Sequence, residues 1–345
     1  MSFTWPDLTS RLIAREDLPR EATEWAMDQV MSGETSPVTL AGFLTALATK
    51  GETVDELTGL ATAMLAHAQT VDAPRESLDI VGTGGDRART VNISTTAALV
   101  LAGAGVTVVK HGNRASSSAS GSADLIEALG VNLQLPREAV GQAADEVGIT
   151  FLFANLFHPS MRHAGPTRRE LAVATAFNVL GPLTNPARPK YAAIGVSSAH
   201  HAPLVAGVLA GRGVEAVVFR GGTGLDEVTT VAPNDVWWVR DGQVEELTFD
   251  ATELGVPQAT VADLRGGDPA YNAKVALGVI DGVDDIVSQT VMLNAAAGLV
   301  AAGRTGEGDF AQQMANGYEL AWQSVRAGKA REVLDRWIDF SRTHS

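Results

Sequence analysis

Between Leu78 and Phe219 the sequence alternates short apolar runs with stretches of helical period, and no other feature constrains the fold as much. Runs at 78–81, 106–109, 150–153, 192–196 and 214–219 have the length and β-branched content of buried strands. Stretches at 97–103, 125–129, 137–147 and 201–209 supply helices between them. Such alternation implies an α/β domain with a largely parallel sheet. Residues 235–240 and 243–248 flank Asp241-Gly242 and read as a β-hairpin, and beyond Asn272 the pattern returns to helix.

The first seventy residues are helical in pattern. Ser36-Pro37 offers an N-cap with proline at the first helical position, and Gly51 closes that helix. Thr53 and Glu56 form a capping box for the next helix, and Leu40, Phe43, Leu44 and Leu47 recur at helical spacing. The expected architecture is therefore a large α/β domain, its mostly parallel central sheet flanked by helices, plus a small all-helical domain. With 345 residues, 45% apolar and 19% charged, the chain can bury a sizeable core. Cysteine is absent, which excludes disulfides, zinc-thiolate sites and cysteine nucleophiles. No run is apolar enough for a membrane span and the N-terminal residues lack a signal-peptide layout, so the expectation is a soluble cytoplasmic protein. A net charge of −14 opposes nucleic acid as the main partner, but admits a small anionic substrate where cations or a metal gather locally.

The run at 78–81 leads directly into Gly82-Thr83-Gly84-Gly85-Asp86. Glycines there let the backbone approach a ligand and aim N–H groups at oxyanions. Asn92-Ile93-Ser94-Thr95-Thr96 follows and suits a helix cap, whose N-terminus also favours anions. A dinucleotide fingerprint is excluded because its third glycine would fall at Arg87, and a Walker A loop because no Gly-Lys-Ser/Thr follows. The glycines alone are equally a tight strand-to-helix turn. With Asp86, Asn92, Ser94 and Thr95 added, the pattern points to a phosphate cradle.

A second loop, Lys110-His111-Gly112-Asn113-Arg114-Ala115-Ser116-Ser117-Ser118, leaves the next strand. Open α/β sheets bind ligands at the carboxyl ends of their strands. Lys110 can neutralise phosphate and the serines can donate to its oxygens, while Ser122 reads as the cap of a helix ending at Gly130. Gly224-Leu225-Asp226-Glu227 carries adjacent carboxylates suited to magnesium, although such a pair on its own is usually solvated surface.

Together these motifs resemble the anthranilate phosphoribosyltransferase family, within the nucleoside phosphorylase-like phosphoribosyltransferases. His158-Pro159-Ser160-Met161-Arg162, and Arg168-Arg169-Glu170 leading into 177–186, extend the resemblance over almost the whole chain. It implies transfer of a phosphoribosyl group from phosphoribosyl pyrophosphate (PRPP) to the amine of anthranilate, with Mg2+ as cofactor. It implies PRPP contacts from Gly82, Gly85, Asp86, Thr90, Asn92, Ile93, Ser94 and Thr95, from Lys110, His111, Gly112, Asn113, Arg114, Ala115, Ser116, Ser117 and Ser118, and from Ser122. Ser94, Asp226 and Glu227 would hold magnesium; Gly82, Asn113 and Arg168 would meet anthranilate. The resemblance further implies a homodimer joined through the helical domain. That domain would span 1–72 with a returning segment at 163–186, leaving 73–162 and 187–345 to the α/β domain.

Arg220 stands where histidine is frequent in the family, Thr223 where aspartate is common, and Ala172 and Ala174 replace a frequent glycine and arginine. The amine of anthranilate is neutral at pH 7, so no residue is required as general base, His111 included. On spacing alone, Arg168 reads rather as a helix-surface cation paired with Glu170 or a neighbour, and only the resemblance turns it toward anthranilate. Val283-Asp284-Asp285-Ile286 faintly resembles the acidic PRPP loop of a different phosphoribosyltransferase class but lacks its glycines, and reads as a helix cap. His200-His201 reads as a helix start. The alternatives are a pyrimidine nucleoside phosphorylase-like enzyme and a non-enzymatic relative that binds nucleic acid.

Overall fold

A computed structural model describes residues 3–114 and 119–344. They fall into two compact units: residues up to Thr70 together with Ala154–Pro186, and Val71–Phe153 together with Ala187 onward.

The first unit is helical. Its helices include Trp5–Ile13, Arg20–Met31, Pro37–Lys50 and Val54–Ala66. Ser36 caps the third by accepting from the Thr39 N–H, with Pro37 at its first position. Thr53 and Glu56 close the capping box of the fourth. Glu56 is fully buried; besides the Thr53 N–H it accepts from the Leu18 N–H at 2.9 Å and pairs with Lys50 Nζ at 3.0 Å. Gly59 lets the second and fourth helices touch, since a Cβ there would lie 2.2 Å from the Arg20 carbonyl oxygen. The returning segment begins at Ala154, earlier than the 163 expected from sequence. The chain rejoins this unit as soon as its strand ends: Phe157 is buried, and its carbonyl accepts from the Gln69 N–H at 2.8 Å.

The second unit is built on seven strands: β1 (Leu78–Gly82), β2 (Val108–Gly112), β3 (Ile149–Phe153), β4 (Tyr191–Gly195), β5 (Glu215–Gly221), β6 (Asn234–Arg240) and β7 (Gln243–Phe249). Their order is β3-β2-β1-β4-β5-β6-β7. The first five are parallel; β6 and β7 form the antiparallel hairpin that turns at Asp241-Gly242, where both residues take positive φ. Helix Ile286–Ala301 is apolar around nearly its whole circumference and lies in the core; Asp285 caps it by accepting from the Ser288 N–H at 2.8 Å. Among the described residues no helix is long and apolar enough to cross a membrane.

The chain leaves β1 to one side for β2 and β3, then returns to β1's other side for β4 and β5. The reversal lies at the carboxyl ends of β1 and β4, the place where sheets of this kind accept ligands.

Candidate active site

Four neighbouring strands, β2, β1, β4 and β5, all end in glycine: Gly112, Gly82, Gly195 and Gly221. Gly82 and Gly195 are direct register partners. Across this pair lies the backbone and side chain of Asp226. A Cβ on Gly195 would sit 1.8 Å from the Asp226 carbonyl oxygen, and one on Gly82 would sit 2.2 Å from Asp226 Oδ2. The seam without side chains thus lets a loop from far along the chain settle onto the strand ends. Gly84 completes the docking by donating its N–H to Asp226 Oδ2 at 2.6 Å. Thr83 and Ser197 stitch the two loops together: the Ser197 N–H donates to Thr83 Oγ1 at 3.2 Å, and Ser197 Oγ to the Gly84 carbonyl at 2.9 Å.

The charges gathered here are costly to bury. Burial, reinforced by the facing Asp86 carboxylate, pushes the Asp226 carboxyl up to about 7. Burial and the neighbouring Asp226 push Glu227 well above the usual carboxylate range, although the Ser94 N–H donates to it. Asp86 Oδ1 accepts from the Ala88 N–H at 3.0 Å, whereas its buried Oδ2 has no donor placed against it among the described residues. Lys110 is the compensating cation: fully buried, it donates to the Ile80 carbonyl and to Ser94 Oγ at 3.4 Å. Desolvation lowers its pKa to about 8 against the opposing pull of Asp79, Glu227 and Asp226. Burial thus favours the protonated carboxyls, and a divalent cation facing these hard oxygen donors would favour their ionised forms. The residues present fit magnesium on that ground.

Ser94, Lys110, Asp86, Asp226 and Glu227 therefore converge, as do Gly82 and Gly85 at the end of β1. Asn92 precedes helix Ile93–Gly103 at the cap position, but its side chain does not cap. It donates instead to the Ser120 carbonyl at 3.1 Å and accepts from Asn272 Nδ2 at 2.8 Å, tying the two phosphate-suited loops to helix Pro269–Ile280. Thr95 Oγ1 is buried and has no hydrogen-bond partner among the described residues. Thr90 bridges to Arg265. His111 is buried, and its N–H donates to Asp79 Oδ1 at 3.1 Å.

Ser122 does not cap its helix. Gly121 holds the cap position because Asp124 turns back to accept from its N–H at 2.8 Å, which makes Ser122 the first helical residue. Arg114 is engaged with Asp124 at 3.0 Å and Glu127 at 2.6 Å, so its charge is already balanced. Asn113 sits beside it, its Oδ1 accepting from the Arg114 N–H at 2.8 Å. Ala115, Ser116, Ser117 and Ser118 lie outside the described residues.

Arg168 belongs to the helical unit, on helix Gly165–Leu171. It makes no ion pair with Glu170 or with any other described residue; its guanidinium lies over the Phe177 ring at 4.9 Å, and burial lowers its pKa. Ala172 ends that helix at φ +50°, a left-handed conformation that glycine takes without strain. Arg220 braces the loop that carries Asp226, donating to the Ser197 carbonyl at 3.1 Å and pairing with Asp235 at 3.3 Å.

Sequence reasoning passed over Asp79, Ser197 and Asn294. Asn294 left a signal, since it is a lone amide in an apolar helix. It is fully buried and clamps Val228, accepting from its N–H at 3.0 Å and donating to its carbonyl at 2.9 Å. Asn294→Leu leaves both Val228 groups unpaired in the core, at about 1–3 kcal/mol each. The expected result in urea denaturation is a loss of roughly 2–4 kcal/mol of stability.

Residues 6–68 match the helical bundle domain of a glycosyl transferase family, and residues 74–331 match the a/b domain of that family. The anthranilate phosphoribosyltransferase of Arthrobacter sp. (strain FB24) is 58% identical over 339 residues, covering 98% of this chain and 96% of the relative. That of Streptomyces griseus is 53% identical over 335 residues, 97% of this chain and 94% of the relative. The crystal structure of the anthranilate phosphoribosyltransferase from Thermus thermophilus superposes with a TM-score of 0.90 at 42% identity, covering 97% of this chain and 99% of that one. The Saccharomyces cerevisiae enzyme in complex with PRPP and Mg gives a TM-score of 0.88 at 28% identity, with 98% of each chain covered.

Proposed function

The chain belongs to the anthranilate phosphoribosyltransferase family, and from that premise we propose that it transfers the phosphoribosyl group of PRPP to the amine of anthranilate. The products are N-(5-phosphoribosyl)anthranilate and pyrophosphate, and the step belongs to tryptophan biosynthesis. One observation carries the reading: the Asp226-Glu227 loop lies on the Gly82–Gly195 seam beside Lys110 and Ser94, at the strand ends where the chain reverses.

PRPP is held by Gly82, Gly85, Asp86, Thr90, Asn92, Ile93, Ser94 and Thr95, by residues 110–118, and by Ser122. Lys110 supplies its positive charge, since Arg114 is already paired. Asp226, Glu227 and Ser94 would hold Mg2+, which when bound would supply positive charge toward the pyrophosphate oxygens. Glycosidic C1–O cleavage places positive charge on the ribose ring and negative charge on the leaving group. The anthranilate amine keeps its lone pair at neutral pH, so the site's task toward it is placement rather than deprotonation. Gly82 and Asn113 bound the acceptor, and the Arg168 fork pairs with its carboxylate. The absence of any carboxylate partner for Arg168 among the described residues supports that role. Homodimerisation through the helical unit and a cytoplasmic location complete the proposal; Ile13 and Val38 are apolar side chains exposed on that unit.

The direct test mixes the protein with anthranilate, PRPP and magnesium and follows anthranilate fluorescence. Loss of fluorescence that requires both PRPP and metal supports the reading; turnover of nucleoside plus phosphate in its place overturns it. Acceptor and donor recognition separate by substitution. Losing a charged hydrogen-bonded contact costs about 1.5–3 kcal/mol, so Arg168→Ala is expected to raise the anthranilate KM roughly tenfold to a hundredfold with the PRPP KM nearly unchanged. Lys110→Met, which keeps the buried stem and removes the ammonium, is expected to do the reverse. Direct titrations of each substrate check that the KM values report affinity.

A further inference from the structure

We propose that Arg87, Arg89 and Arg265 form a second anion site, outside the Asp226-Glu227 pocket, for the diphosphate group of a small molecule. A cavity of about 440 Å³ is lined by these three arginines and Ala88. No described residue forms an ion pair with any of the three guanidinium groups. The nearby carboxylates are committed elsewhere: Asp263 accepts from Thr260, Asp268 caps a helix through the Tyr271 N–H, and Asp86 faces Asp226. On a chain of net charge −14, three exposed arginines that line one cavity and make no ion pair among the described residues are a local concentration of positive charge.

The backbone builds this cluster. The Val91 N–H donates to the Leu264 carbonyl at 2.9 Å, the Gly266 N–H donates to the Arg89 carbonyl at 2.8 Å, and Thr90 bridges to Arg265. A Cβ on Gly266 would lie 2.7 Å from the Thr90 carbonyl oxygen, so the approach depends on glycine at that position. Arg87 and Arg89 are held at φ +60° and +55°. Bulky side chains occupy that region at a cost, and persist where the surroundings impose it, commonly at ligand clamps. A planar guanidinium fork matches phosphate oxygens two at a time, and three forks suit a group with several such oxygens. A lone carboxylate would leave most of their donors unused.

The inference rests on the reaction proposed above only for the source of the diphosphate, which is either incoming PRPP or departing pyrophosphate. The test is calorimetric titration of the full chain with inorganic pyrophosphate, and in parallel with PRPP, at low ionic strength in EDTA. Wild type is compared with Arg265→Gln and with Arg89→Gly, the second relieving the backbone as it removes a guanidinium. Each variant is expected to bind about tenfold more weakly, and Arg326→Gln, which removes an exposed guanidinium on helix Phe310–Arg326, to bind as wild type does. Weakening for pyrophosphate alone assigns the site to the product, for PRPP alone to the substrate, and for both to the diphosphate group itself. Unchanged affinity for both ligands in Arg265→Gln and Arg89→Gly overturns the proposal, as does equal weakening in Arg326→Gln. Anthranilate is absent from these titrations. Failure of the acceptor reading would therefore appear in the fluorescence assay, and failure of this site only here.

Discussion

Replacing Asp226 with Asn and Glu227 with Gln is expected to lower turnover by a factor of about 10²–10³ while leaving the fold intact. The amides keep the shape of the carboxylates, and each retains a carbonyl oxygen to accept from the Gly84 and Ser94 N–H groups that now serve Asp226 and Glu227. What they remove is negative charge that burial makes expensive. Isolated buried charge opposes folding, so the double variant is expected to melt at the wild-type temperature or above it. Differential scanning calorimetry alongside steady-state kinetics at limiting magnesium gives both readouts. Wild-type turnover would remove the pair from the mechanism, and a large drop in melting temperature would make it structural.

Gly195→Ala is expected to be the most damaging single methyl in the α/β unit. Its Cβ would arrive 1.8 Å from the Asp226 carbonyl oxygen and 2.5 Å from the carbonyl carbon, and neither belongs to a side chain that can rotate away. The loop must lift from the strand ends, carrying Asp226 and Glu227 with it. Overpacking of this kind typically costs about 1–3 kcal/mol, and the displaced carboxylates are expected to reduce turnover by about a hundredfold or more. Gly82→Ala meets chiefly the Asp226 side chain, Oδ2 at 2.2 Å and Cγ at 2.9 Å, which can turn away, so it is expected to spare stability more than activity. Gly211→Ala is the control: at a helix end with nothing within 4 Å of the added carbon, it is expected to be neutral or slightly stabilising in the same denaturation and turnover measurements.

Much of the architecture was legible before any coordinates. The Thr53–Glu56 capping box, the Ser36 cap with Pro37, the Asp285 cap and the Asp241-Gly242 hairpin all have the form that local spacing predicts. Each is written within a few residues, because caps and turns are satisfied by groups three or four positions apart. Ser122 shows where such reading stops, since an Asp three residues after Gly121 competed for the cap and won. The start of the returning segment was misplaced for a related reason. Nothing local to Ala154 announces that Phe157 will be bonded to Gln69.

The sequence by itself determined that glycine-rich and lysine-bearing loops would leave neighbouring strands of a parallel sheet, because strand period and glycine content are local properties. Only the tertiary structure decided that Gly82 and Gly195 would be register partners, and that Asp226, 142 residues beyond Gly84, would lie across them. Strand order is settled by long-range pairing, which no window of sequence contains. The electrostatics followed from the same event. An Asp-Glu pair in isolation reads as solvated surface, and it becomes a strained, cation-seeking pocket only when packing strips its water and sets Asp86 and Lys110 against it.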